Sequence, residues 1–275
     1  MKKLFFNKIN ILLLLSLVVF TACEEDSLFD GLGGEDEPTV AKCGDVSDSV
    51  KEFYKDDATR LAIGLINQSG SITSGSVLIP PALVTRMSDV LTAVHASEFA
   101  ARDSVIDVYD AHIFPKFSLN EVVVEVSTDT TGNPWVDKWL DGNRFTGNTD
   151  ADAIVSTYDL NLTNVLLLGN NAVIIFQSDD PINVPALVED FSQIDGVVDV
   201  GSKEISGDGD NITVTPLGSN QEDGYTVIYE IAYDDCENAC QKARFYEFQV
   251  NDKCSVKYIN TYGDEAPELE DREEE

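Results

Sequence analysis

Ser206-Gly-Asp-Gly-Asp-Asn211 is the stretch whose residue types could most readily do chemistry. Its two carboxylates, Asp208 and Asp210, sit on a Gly-rich turn and could offer hard oxygen ligands to calcium. The spacing is not that of an EF-hand, because the third acidic ligand and the distant bidentate Glu are missing. A turn ahead of a strand, in which Gly and Asp satisfy local backbone geometry, accounts for the same residues. Asn148-Thr-Asp150-Ala-Asp152 is a second acidic cluster. Asp150 and Asp152 are either further calcium candidates or the opening of a helix, where carboxylates meet free N–H groups and the positive dipole end. Calcium is the one cofactor these patterns suggest. Trp135 and Trp139, with Phe145 nearby, would stack on sugar rings if exposed and build core if buried.

Other chemistry finds less support. The chain has 2 histidines. His95 falls at the end of a helical apolar stripe, and His112 has no Ser or Cys arranged around it by motif. There is no G-x-S-x-G, no H-E-x-x-H and no P-loop, so nucleophile-elbow, zincin and Walker NTPase readings lack their signatures. A carboxylate pair for glycoside hydrolysis is available in any chain with 50 acids, and that abundance removes its information.

The net charge of −32 excludes two partner classes. Nucleic-acid affinity comes from Lys and Arg neutralising phosphates, and anionic lipid head groups attract the same residues. An acidic surface keeps the chain soluble.

Cysteine usage points to an oxidising compartment. Setting Cys23 aside, four cysteines remain: Cys43, Cys236, Cys240 and Cys254. An even number in an exported chain suggests two disulfides with three connectivities. The favoured pairing is Cys236–Cys240 locally and Cys43–Cys254 across the domain. The long bridge would contribute about 4 kcal/mol or more in the loop-closure model.

The positioning elements follow from periodicity. Ser47 can cap a helix to about Gln68 with Val50, Phe53, Tyr54, Leu61 and Leu65 recurring at helical spacing. A Gly/Ser loop over 69–76 precedes Pro80-Pro81, which opens a helix to about Ala96. Val105 to Tyr109 and Glu121 to Val126 alternate as strands. Short helices are expected over 135–140 and 152–158. Val165–Leu168 and Ala172–Phe176 form a hairpin, and 181–193 a helix. Strands then run over 196–200, 211–215, 225–233, 245–250 and 255–259. Helices early and antiparallel strands late give an α+β fold, with a split βαβ element over 172–200.

The leader carries the clearest signal. Lys2, Lys3 and Lys8 precede an apolar run from Ile11 to Phe20, too short to span a bilayer but suited to a signal peptide. The run ends at Phe20-Thr21-Ala22-Cys23, which resembles a bacterial lipoprotein processing site, with Phe20 where that family has Leu. The resemblance covers the leader alone. It implies cleavage before Cys23, acylation of its thiol and stable attachment to a membrane through the N-terminal lipid. Glu24-Glu25-Asp26 resemble the export signal of surface lipoproteins in Gram-negative bacteria.

The expected organisation is a signal peptide over 1–22, an acidic flexible tether over 23–42, a globular region over 43–263 and an acidic tail over 264–275. Two subdomains meeting near 145–160 are one form the globular region could take. The expected function is that of an outer-membrane lipoprotein facing the cell exterior, or alternatively the periplasm. It would act as a non-enzymatic binding or structural module for a protein or glycan. A carboxylate-based hydrolase of surface glycans is the alternative.

Overall fold

The computed structural model describes residues 39–40, 46–68, 75–218 and 223–265. The leader, Cys23, most of the tether, Cys43 and the tail beyond residue 265 lie outside the described residues. The chain separates into Met1–Gly34 and Glu35–Glu275, and all that follows belongs to the second unit. Among the described residues no helix is long and apolar enough to cross a membrane.

The fold is α+β, and the described residues form two antiparallel sheets and two hydrophobic cores. The first core joins the two ends of the described chain. Helices α1 (Asp48–Phe53), α2 (Lys55–Asn67), α3 (Pro81–His95) and α4 (Ala100–Asp103) come first, and of these α2 and α3 pack on strands that lie more than 100 residues later. These strands are β6 (Asn211–Pro216), β7 (Gly224–Tyr233), β8 (Lys242–Asn251) and β9 (Ser255–Gly263). With β1 (Thr39–Val40) they form a sheet ordered β1-β9-β8-β7-β6. Strand alternation turns Tyr225, Val227, Tyr229 and Ile231 of β7 inward. Ala58, Leu61, Ala62 and Leu65 of α2, with Met87, Leu91 and Val94 of α3, meet them at helical spacing.

The second core is an insertion. It comprises β2 (Phe117–Ser127), α5 (Val136–Leu140), α6 (Thr149–Thr157), β3 (Asn161–Leu168), β4 (Asn171–Gln177), α7 (Val184–Ser192) and β5 (Val197–Glu204). The sheet order is β3-β4-β2-β5. Because β4 and β5 each run antiparallel to β2 between them, they point the same way, and α7 crosses over from one to the other. This is the split βαβ element the sequence suggests. Val122, Val124 and Val126 of β2 and Ile174 and Phe176 of β4 face Trp139, Val155, Leu187 and Phe191.

Several local expectations change. Tyr54, with φ −98° and ψ 10°, divides the first helix into α1 and α2. Ser104–Val108 is a π-helical turn continuing α4, not a strand. Val105 and Ile106 are both buried, and neighbouring residues can share a core face on a helix but not on a strand. Thr39 and Val40, within the expected tether, pair with Val256 and Ser255. The first residue of the expected tail is also held, since the Asp264 amide donates to the Ala243 carbonyl. Residues 145–160 contain α6 and lie inside the second core; the chain passes between cores at 113–117 and again at 205–210.

Candidate functional site

A cleft with a volume of 370 Å³ opens where the two cores meet, lined by α2, the 113–117 crossing, Pro185 and β6. Five consecutive residues, Asp210 to Val214, border it. Ile212 and Val214 are the inward residues of β6, whereas Thr213 is exposed. Contact with both sets means that the cleft runs along the strand's edge. Among the described residues β6 is the outermost strand of its sheet and pairs with β7 alone, so its other edge carries main-chain N–H and C=O groups that no described strand pairs.

The opposite wall is the face of α2 carrying Arg60, Leu61, Gly64 and Asn67. Gly64 lies within the helix, where glycine is about 1 kcal/mol worse than alanine. A Cβ built on it meets no atom within 4 Å. Neither a crowded neighbour nor a positive φ calls for glycine here. The consequence of the missing side chain is that the cleft stays open.

Polar contacts fix the rim. Asp57, 3% exposed, accepts from the Ile113 amide at 2.8 Å and pairs with His112 Nδ1 at 2.5 Å. Arg60 Nη1 donates to the Phe117 carbonyl at 2.9 Å while its guanidinium lies over the Phe117 ring. Burial lowers the Arg60 pKa. The Phe114 amide donates to the Asp210 carbonyl at 2.8 Å. Asn67 and Asn183 exchange side-chain hydrogen bonds of 3.1 and 2.8 Å, joining α2 to the start of α7.

Of the Ser206–Asn211 stretch, Asp210 and Asn211 line the cleft. Asp208 pairs with Lys116 Nζ at 2.9 Å, which holds its carboxyl below the usual range. Asp210 Oδ1 accepts from the Ala232 amide at 2.8 Å. A Cβ on Gly209 would lie 2.8 Å from the Phe114 ring, so this glycine makes room for an aromatic side chain. The two carboxylates thus hold separate parts of the scaffold.

Asn148 caps α6 by accepting from the Asp150 and Ala151 amides. Asp152 accepts from the Thr146 and Gly147 amides, and the Asp150 side chain is exposed. Among the described residues, no group of three or more His, Cys, Asp or Glu is arranged to hold a metal ion. Trp139 is fully buried, packed against Phe176 and Phe191. Trp135 is half-buried with its ring edge-on to Trp139 at 5.0 Å. Core packing, not sugar stacking, occupies the Trp139 ring, and Trp135 covers it.

His112 lies 3.9 Å from Asp110 through Nε2 and edge-on to Phe53. Its hydrogen bond to Asp57 raises its pKa, against the lowering effect of burial. This pair anchors the crossing segment to α2. Cys236 and Cys240 are disulfide-bonded, and Cys254 is also oxidised; its expected partner, Cys43, lies outside the described residues.

Asp57, Arg60, Gly64 and Phe114 escape the sequence reading. A glycine inside an apolar helical stripe was the one available signal. No protein-family model, no curated protein and no solved structure matches the chain.

Proposed function

We propose that the chain is a membrane-anchored envelope lipoprotein whose globular region is a non-enzymatic binding module, and that its ligand is an extended peptide segment laid along β6. The observation that carries the reading is the cleft between an open strand edge and a helix face left bare at Gly64. A helix beside an unpaired edge is the setting in which a peptide adds as a further strand. Main-chain hydrogen bonds then supply affinity and side-chain pockets supply selectivity. Leu61, Ile63, Phe117, Pro185 and Val214 give the cleft walls that suit apolar side chains. The leader ending at Cys23 supports the anchor, and Glu24-Glu25-Asp26 support display outward.

Selection from a random heptapeptide phage library tests the binding site. Selected peptides should shift the amide resonances of Asn211 to Val214 in the free protein. Gly64→Phe should fill the cleft and abolish their binding while the circular dichroism spectrum is retained. If no selected peptide moves those amides, or if Gly64→Phe binds equally well, the site assignment fails. For the anchor, Cys23→Ala should be unacylated and released from membranes, and protease shaving of intact cells should remove the full-length wild-type band.

A further inference from the structure

We propose that β3 is a self-association edge, along which two copies of the chain pair β3 with β3 about a twofold axis and double the four-stranded sheet. Among the described residues Asn161–Leu168 form the outermost strand, bonded to β4 on one side only. Leu166, Leu167 and Leu168 are 45%, 70% and 60% exposed. Because they are consecutive, they leave apolar surface on both faces of the edge.

Natural sheets blunt such edges with charge, proline, bulges or brevity, and the edges at β1 and β5 follow that rule. β1 has 2 residues. β5 carries Asp199 and Lys203 and has register shifts against β2. β6 lies in the cleft opposite α2. β3 contains no charge and no proline, and its one register shift falls between Leu162 and Asn164, leaving Asn164–Leu168 in regular register.

Charge selects the occupant. Two copies of a chain with net charge −32 repel across most of their surfaces. Residues 161–178, the whole β3–β4 hairpin, contain no Asp, Glu, Lys or Arg. They provide a seam along which copies can approach without opposing carboxylates. A twofold axis is self-complementary, so uncharged leucines meet uncharged leucines and each free main-chain edge finds its equivalent. An acidic chain has no comparable attraction for an anionic lipid surface.

Sedimentation of the purified full-length chain from micromolar to submillimolar concentration is the test. The wild type should move from monomer to dimer, and added salt should favour the dimer by screening repulsion. Leu167→Lys places like charges across the seam and should weaken the dimer at least about tenfold, the equivalent of 1.4 kcal/mol. A wild type that stays monomeric throughout overturns the proposal. So does a dimer that survives combined Leu167→Lys and Leu168→Lys substitution. If those variants lose the native circular dichroism spectrum, wild-type hydrogen exchange decides. Amides of 164–168 that slow as concentration rises support the pairing, and concentration-independent exchange there overturns it.

Discussion

Gly64→Ala should make the protein more stable and its cleft smaller. Glycine inside a helix is disfavoured by about 1 kcal/mol relative to alanine, largely because the flexible residue loses more freedom on folding. A methyl at Gly64 meets no atom within 4 Å, so neither a clash nor a packing gain modifies that figure. The expected change is therefore a gain of about 0.5–1 kcal/mol, or about 2–4 °C in Tm per kcal/mol for a domain of this size. Urea titration should show a higher midpoint with an unchanged m value, because the surface exposed on unfolding is nearly the same. The same methyl projects into the cleft, so affinity for a selected peptide should fall as stability rises. An unchanged or lower midpoint would refute the reasoning, since it would mean that glycine is required for the local structure.

Other outcomes can be checked independently. His112 and His95 should titrate in opposite directions from about 6.5 in an NMR titration. The Asp57 hydrogen bond raises His112, whereas burial lowers His95. Stability from charged His112 should be fully present below its unfolded pKa and lost as pH rises through its higher folded value. The wild-type advantage over His112→Gln should shrink over that window, and an advantage that grows with pH would contradict the Asp57 contact. Trp139→Ala should cost about 3–5 kcal/mol through the cavity it leaves, measured by urea denaturation. Replacing Cys236 and Cys240 together by Ser should cost about 2 kcal/mol on the loop-closure model, a small effect because the bridge spans a sequence separation of 4.

Periodicity made most of the fold legible. The alternation in β7 and β8 and the stripes of α2 and α3 each encode one buried face. It failed at Val105 to Tyr109, where apolar residues alternate around Asp107 yet Val105 and Ile106 enter the same core. The cleft was almost invisible because its walls are distant in sequence. Nothing near Gly64 announces that Ile212 and Val214 will lie across from it. The acidic clusters show the converse. Asp208, Asp210 and Asp152 advertise ligands in sequence, while their oxygens serve Lys116, Ala232 and Gly147. Trp139 likewise could be assigned to the interior only once Phe176 and Phe191 were seen around it.

The insertion has a consequence for the order of assembly. Helices α2 and α3 cannot bury their stripes until β6 to β9 exist, so the first core demands contacts of long sequence separation, which form slowly. Apart from Val77, which joins it from the segment between α2 and α3, the inserted unit is contiguous and can close first. When it does, Phe117 and Glu204 come into register, and the Lys116 carbonyl accepts from the Ile205 amide. The intervening chain then counts as a short link, which lowers the loop-closure entropy the outer core must overcome. Until the last strand has been made, α2 and α3 can pack on each other but lack the strands that cover the rest of their apolar faces. That interval is when a chain of this topology is most exposed to aggregation or to capture by a chaperone.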